Sequence, residues 1–154
     1  MIPSAEIDAS GRLVIVSSSG QATVVQKDAG QTSLSTPLTS PARTAVAAQA
    51  LYPNEGGSSY DIPLQLVVVA RGKIHRFKGN GLPIFRWGFA DGGTRIAYGQ
   101  EPVHAGCEIH YELREIDSER LIDSIDVPEP CGQIPDPEPV KIPPWVSELN
   151  SKKP

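Results

Sequence analysis

Residues 87–98 read W-G-F-A-D-G-G-T-R-I-A-Y and form the clearest local pattern in the chain. Bulky apolar residues alternate with small or polar ones on both sides of an Asp-Gly-Gly turn, which is typical of two antiparallel strands joined in a hairpin. Because alternate residues of a strand share one face, we expect Trp87, Phe89, Ile96 and Tyr98 to lie together in the core.

Further strand patterns lie on both sides of this hairpin. Short apolar runs with many β-branched residues, separated by Gly- and Asp-containing turns, occur at residues 13–16, 64–70, 73–78, 109–113 and 121–127. Residues 44–51 and 145–150 have a composition that suits a helix, but the first stretch is too short to be stable without packing. The sequence therefore predicts an all-β chain of antiparallel hairpins with one short terminal helix.

Two of the turns belong to an internal repeat. Residues 7–15 (I-D-A-S-G-R-L-V-I) align with residues 89–98 (F-A-D-G-G-T-R-I-A-Y). Each copy runs from an apolar residue through an Asp- and Gly-containing turn and an arginine into an apolar strand. The copies are 89 − 7 = 82 residues apart, about twice the roughly 40–45-residue period of a propeller blade.

On these residues the sequence resembles the WD-like β-propeller repeats, in particular the TolB-like branch with its phrase W-x-x-D-G-x-x-I-A-(Y/F). Residues 87–98 match that phrase with one inserted residue, and residues 111–121 resemble the hairpin that follows it. The resemblance is strongest over residues 85–127, and the Gly-His and Trp-Asp pairs of the standard WD repeat are missing. It implies two to three blades. Since a closed ring needs about four to eight blades, the fold would be a partial propeller or a sandwich of the same hairpins.

The composition changes at residue 128. Seven prolines between residues 128 and 144 exclude a central strand or a helix there. We therefore divide the chain into a blade-like domain, residues 1–127, and a proline-rich arm, residues 128–154, with a short helix near its end. Trp145 would anchor this arm on the body of the protein or on a partner.

Cys107 and Cys131 lack Cys-x-x-Cys spacing. They form either one disulfide that ties the arm to the sheet or two free thiols. An extracytoplasmic location is favoured only if the disulfide forms, because it needs an oxidising compartment. The chain as written shows no secretion signal and no run near the roughly 20 apolar residues of a membrane span.

Charge is unevenly distributed along the chain. Residues 1–100 carry 9 − 6 = +3 and residues 101–154 carry 5 − 12 = −7. A basic patch is the candidate binding site for an acidic surface of a partner or of a second copy, since opposite fields steer association; its residues are Arg71, Lys73, Arg76 and Lys78. Nearby aromatic residues suit stacking on bases, but the acidic total charge argues against nucleic acid and favours core positions for Phe77, Phe85 and Trp87.

His104, Cys107 and His110 give the one metal-like spacing in the sequence. On a strand, Cys107 and His110 point to opposite faces, and the face shared by Glu108, His110 and Glu112 has the pattern of a solvated one. We therefore predict no metal site and no cofactor. The sequence also lacks the G-x-S-x-G, P-loop and H-E-x-x-H motifs.

These features favour a non-catalytic binding or scaffolding module whose partner is a protein or a second copy of the chain. The alternative is a divergent propeller-type hydrolase or small-molecule-binding domain with its site at the loop ends. In that case Asp91, Glu101 and His104 should meet in one pocket.

Overall fold

The structure, a computed structural model, describes residues 1–2, 4–54, 60–104, 106–131 and 139–151. These residues contain three antiparallel sheets and one short α-helix, so the prediction of an all-β chain is confirmed. The chain divides into two compact units, Met1–Lys78 and Gly79–Pro154. Within the described ranges, no helix has the length and apolar character needed to cross a membrane.

The first unit holds two sheets. Sheet A has the order β1-β2-β3, and sheet B has the order β4-β6-β7-β8 with β5 also paired to β6. In both sheets the chain runs up and down, so that strands close in sequence lie side by side. The bounds of the strands are β1 (Ser4–Ile7), β2 (Leu13–Val16), β3 (Ala22–Val25), β4 (Ser33–Leu34), β5 (Leu38–Thr39), β6 (Ala45–Tyr52), β7 (Ile62–Ala70) and β8 (Lys73–Phe77).

Strand β6 is formed by the alanine-rich stretch whose composition alone suits a helix. It pairs with β4 and β5 on one side and with β7 on the other, and Ala47 and Ala48 are fully buried. An isolated eight-residue helix is marginal in water, whereas pairing on both sides satisfies the backbone groups of the strand. Leu13 and Ile15 of sheet A share one apolar cluster with Val46 of this strand, which makes it central to the core of the first unit.

The two aligned turns of the repeat contain the same ion pair. In the β1–β2 turn the Asp8 carboxylate accepts hydrogen bonds from the backbone N–H groups of Ser10 and Arg12 and lies 2.9 Å from the Arg12 guanidinium. In the second turn the Asp91 carboxylate lies 3.1 Å from the Arg95 guanidinium. The two hairpins therefore share an Asp–Arg ion pair at a spacing of four residues.

The second unit contains sheet C, a four-stranded meander with the order β12-β11-β10-β9. A 3-10 turn at Asp91–Gly93 joins its first two strands, and Gly92 supplies the positive φ of 68° that this turn requires. The bounds of its elements are β9 (Ile84–Ala90), β10 (Arg95–Gln100), β11 (Glu108–Glu115), β12 (Leu121–Pro128) and the helix α1 (Pro144–Ser151).

Helix α1 belongs to the second compact unit. It begins at Pro144, whose fixed φ and missing N–H group suit the first turn of a helix. Val146 and Leu149 are buried in one cluster with Ala97 and Leu113 of sheet C. The boundary between the two compact units lies at residues 78/79. The division at 127/128 marks the place where the strand pattern of the sequence ends, and it stays a prediction.

The register of sheet C tests the predicted core of the hairpin. β9 and β10 pair Trp87 with Tyr98 and Phe89 with Ile96. Burial is confirmed for Phe89, Ile96 and Tyr98, but the prediction is wrong for Trp87, which is half-buried. Phe85 is also wrongly predicted as a core residue, since it is 40% exposed, while Phe77 is buried. Trp87 and Phe85 lie on β9, an edge strand of sheet C with a strand of that sheet on one side.

We expect Ile96→Ala to destabilise the protein by about 2–5 kcal/mol, because Ile96 is fully buried and the substitution leaves a cavity. Trp87→Ala should lower the free energy of unfolding by less than about 3 kcal/mol, which is below the usual loss for a fully buried tryptophan. Urea denaturation of the two variants measures both values. A larger loss for Trp87→Ala than for Ile96→Ala would contradict the burial described here.

Candidate functional site

One face of sheet C carries a network of five polar side chains from three neighbouring strands. Its centre is Glu112, which is 5% exposed and lies directly opposite Tyr98 in the β10–β11 register. Glu112 Oε1 accepts hydrogen bonds from the Tyr98 hydroxyl and from Arg114 Nε, both at 2.7 Å. The other carboxylate oxygen lies 2.8 Å from His110 Nε2, and His110 Nδ1 lies 2.6 Å from Asp126 Oδ1.

The network forms because alternate residues of β11 share one face of the sheet. Positions 110, 112 and 114 therefore lie in line, with Asp126 paired to His110 on β12. This network is not among the sites predicted from the sequence, because the face of Glu108, His110 and Glu112 has the pattern of a solvated one. That interpretation is wrong for Glu112, which is buried, and for His110, which is partly buried. The signal present in the sequence was the alternation of opposite charges at every second residue of β11.

Electrostatics favour the ionised carboxylate at the centre of the network. Burial alone would raise the pKa of Glu112, but hydrogen bonds from Tyr98, His110 and Arg114 and the positive charge of Arg114 outweigh it and lower the pKa. Burial raises the pKa of Tyr98, and its hydrogen bond to Glu112 raises it further. The Tyr98 hydroxyl therefore remains protonated and donates to Glu112.

His110 is held between two carboxylates. Burial alone would lower its pKa, but hydrogen bonds to Asp126 and Glu112 and their negative charges outweigh that effect and raise the pKa. In the protonated form both ring nitrogens donate, one to each carboxylate. Each charged group of the network thus has a partner of opposite charge within it. The network stabilises the sheet by joining side chains of three neighbouring strands.

Stability should depend on pH through His110. Because its pKa is higher in the folded chain than in the unfolded one, protonated His110 stabilises the fold below its ordinary pKa of 6.5, and this contribution disappears as pH rises through the folded value. We expect the free energy of unfolding of the wild type, minus that of His110→Gln, to be larger at pH 6 than at pH 9.

Urea denaturation at several pH values provides the measurement, with Asp126→Asn as a matched control. That variant removes one of the two carboxylates beside His110, so its pH dependence should be smaller than that of the wild type. If the free energy of unfolding of the wild type minus that of His110→Gln stays constant or grows as the pH rises, the raised pKa of His110 is contradicted.

The opposite face of sheet C holds helix α1, and we call it the helix-docking face. Val146 and Leu149 enter the apolar cluster formed with Ile109 and Leu113. Gly99 lies opposite Tyr111 in the register, and the absence of a side chain there leaves room for the tyrosine ring, since a Cβ would lie 2.9 Å from Tyr111 Cε1.

Hydrogen bonds attach both ends of the helix to this face of the sheet. Trp145 Nε1 donates to Asp123 Oδ2 at 2.9 Å, and the indole packs edge-on against the Tyr111 ring. Asn150 Nδ2 donates to the Tyr111 hydroxyl at 3.1 Å, and Arg86 Nη1 donates to Asn150 Oδ1 at 3.2 Å. Trp145, a candidate anchor of the arm, therefore lies against the body of the second unit.

A disulfide joins Cys107 to Cys131, with their Cα atoms 5.1 Å apart. Cys107 directly precedes β11, and the backbone N–H of Glu129 donates to its carbonyl at 2.8 Å. The bridge thus continues the pairing of β11 with β12 beyond Pro128. Since Cys107 is in a disulfide, it offers no thiolate for the His104-Cys107-His110 motif. Among the described residues, no three His, Cys, Asp or Glu side chains are grouped to hold a metal ion.

The four residues of the predicted basic patch lie on β8 or within two residues of it, and they differ in exposure. Arg76 is partly buried and donates hydrogen bonds to the Gln31 and Gln65 side-chain oxygens and to the Gln26 carbonyl. Its guanidinium therefore holds the loop after β3 against sheet B. The remaining members of the predicted patch are exposed; they are Arg71, Lys73 and Lys78.

The three residues expected to meet in a loop-end pocket are not brought together. Asp91 lies in the turn before β10, while Glu101 and His104 follow the end of that strand. A six-residue strand separates its ends by about 20 Å. Asp91 is moreover paired with Arg95 at 3.1 Å. This arrangement does not favour the hydrolase alternative.

Comparison of the chain with models of known protein families gives no match, and comparison with curated proteins gives none either.

Proposed function

We propose that the chain is a non-catalytic binding or scaffolding module, built from propeller-blade-like sheets, that acts through contacts with a protein partner or with a second copy of itself. The blade-like interpretation is supported by the up-and-down order of the sheets, because a propeller blade is a four-stranded antiparallel meander. It is also supported by the matching Asp–Arg turns of sheets A and C.

A non-catalytic role is supported by the state of the polar network. Glu112 accepts three hydrogen bonds and has a lowered pKa, so it is poorly suited to accept a proton near neutral pH. Its neighbours Arg114 and His110 are bound to it, and His110 is also bound to Asp126. These groups join strands rather than facing a common substrate position.

The single observation that carries a binding role is the edge of sheet A at β3. Among the strands that the structure describes, β3 pairs with β2 on one side and with no strand on the other. Its sequence, A-T-V-V, has neither a charge nor a proline, and Val24 is 39% exposed. Natural sheets usually protect such an edge, because its backbone groups can pair with another chain.

One of the two edge strands of sheet C, β12, differs from β3 and serves as an internal comparison. β12 carries Asp123 and Asp126 and ends at Pro128, all features that discourage pairing of an edge strand. The backbone N–H of Ser124 is bound to the Asp123 carboxylate. Strand addition at β3, by a second copy or by an extended segment of a partner, is therefore the contact that we propose.

Light scattering over a range of protein concentrations tests the self-association form of this proposal. We expect the wild-type mass to rise with concentration and Val24→Lys to remain near the monomer mass, because a lysine on an edge strand disfavours pairing. Leu38→Lys is the matched control, since Leu38 is 51% exposed on β5, and it should behave like the wild type.

The ionic strength distinguishes strand pairing from the charge-based dimer expected from the sequence. Pairing through backbone groups should persist at high salt, whereas a dimer held by Lys73 and the acidic half of the chain should dissociate. A wild type that stays monomeric at high concentration, or a Val24→Lys variant that associates as the wild type does, would contradict self-association at β3.

A further inference from the structure

The loop between β8 and β9 exposes an asparagine that is followed by a glycine. Asn80 and Gly81 are both exposed, and Gly81 has a positive φ of 88°. The backbone N–H of Leu82 donates to Asn80 Oδ1 at 3.0 Å, so the asparagine side chain turns back onto the backbone that follows it. The ring closed by this hydrogen bond includes the Gly81 nitrogen, which therefore lies beside the side-chain carbonyl carbon.

We propose that Asn80 is a site of spontaneous chemical modification, at which the asparagine is converted to aspartate or isoaspartate. The Gly81 nitrogen loses its proton to solvent and forms a bond to Asn80 Cγ. The Cγ–Nδ2 bond then breaks, and Nδ2 takes up a proton and leaves as ammonia. Water opens the resulting cyclic imide. Opening at Cγ gives aspartate, whereas opening at the backbone carbonyl carbon gives isoaspartate.

The local contacts favour the first step of this reaction. Asn80 Oδ1 is the atom that gains negative charge when the nitrogen attacks, and the Leu82 N–H already donates to it. A donor placed where charge develops stabilises the transition state. Gly81 has no side chain to hinder the attack. Among the described residues, no atom lies within 4 Å of the place that a Cβ of Gly81 would occupy, so water can approach.

Asn150 is an internal comparison, because its side chain is held away from such an attack. Its Nδ2 donates to the Tyr111 hydroxyl at 3.1 Å, and its Oδ1 accepts from Arg86 Nη1 at 3.2 Å. The residue lies within α1 and is followed by Ser151, which carries a side chain. Both atoms of this amide are thus bound to other side chains, and the fold should protect it.

The buried side chain of Gln100 binds the backbone on both sides of the reacting residues. Gln100 Oε1 accepts from the backbone N–H of Asn80 at 3.0 Å, and Gln100 Nε2 donates to the Leu82 carbonyl at 2.7 Å. Gln100 is 0% exposed. Isoaspartate inserts an extra carbon atom into the backbone between these two hydrogen bonds, whereas aspartate leaves the backbone unchanged. Only isoaspartate should therefore disturb the contact with Gln100.

Incubation of the full chain in mildly alkaline buffer, followed by ion exchange and peptide mass spectrometry, tests the proposal. Each reaction changes the formal charge from −4 to −4 − 1 = −5. We expect Asn80 to be lost at least about tenfold faster than Asn150 in the folded chain, because a displacement of reacting atoms by about 1 Å can lower a rate about 100-fold. The rate should rise with pH, since the attacking nitrogen must lose its proton.

Asn80→Gln is the matched control, because the longer side chain disfavours the five-membered imide. It alters an exposed side chain, and its gain of negative charge should be much slower than that of the wild type. A parallel incubation in urea measures the effect of the fold. The proposal is overturned if the folded wild type gains charge no faster than Asn80→Gln, or if Asn80 is lost in urea but stays intact in the folded chain.

The stability of the products tests the contact with Gln100. Freshly purified Asn80→Asp represents the aspartate product, and its urea midpoint should stay close to that of the wild type. The isoaspartate fraction of the incubated wild type should unfold at a lower urea concentration, because a buried amide that loses a hydrogen bond destabilises the fold. Equal midpoints for the two products would contradict the effect assigned to isoaspartate. None of these readouts depends on pairing at β3.

Discussion

The register of β10 in sheet C is the constraint on which the second unit depends. It places Tyr98 opposite Glu112 and Ala97 opposite Leu113. Because side chains alternate between the faces of a strand, a slip of one residue would exchange the two sets. The buried carboxylate of Glu112 would then lose the hydrogen bond from Tyr98, and the polar hydroxyl of this tyrosine would enter the surface that receives α1. At the start of β10 the Asp91-Gly92-Gly93 turn sets the pairing of this strand with its other neighbour, β9.

The two faces of sheet C then have separate roles. One face joins three strands through Glu112 and His110, whose bonds reach β10 and β12. The other face is apolar and receives Val146 and Leu149. The disulfide at Cys107 extends the β11–β12 pairing beyond Pro128 and so sets the place from which the chain leaves the sheet. Sheet C thus has cross-strand contacts that stabilise it on one face and an apolar surface that binds a short helix on the other.

Much of the fold could be predicted from the sequence because strands and turns are encoded locally. The alternation in residues 87–98, the Asp-Gly turns and the helix start at Pro144 all depend on neighbouring residues. Residues 44–51 show where prediction from local sequence fails. Their composition suits a helix, but pairing with strands on both sides makes most of them a strand. The blade-like resemblance stays a prediction.

The candidate site was less predictable because it depends on distant partners. Glu112 resembles a solvated residue until Tyr98 and Arg114 are seen to donate to it. Trp87 resembles a core residue until β9 is known to be an edge strand. The β3 edge could likewise not be identified from A-T-V-V alone, because an uncharged strand in the middle of a sheet has the same composition.

The most direct test of the account is a pair of double-mutant cycles by urea denaturation. Tyr98→Phe combined with Glu112→Gln should show a coupling of about 0.5–3 kcal/mol, because the two side chains share one hydrogen bond on one face. Tyr98→Phe combined with Val146→Ala should be additive within about 0.5 kcal/mol, because these residues lie on opposite faces. Additivity in the first cycle, or strong coupling in the second, would contradict the separation of the two faces by the register of β10.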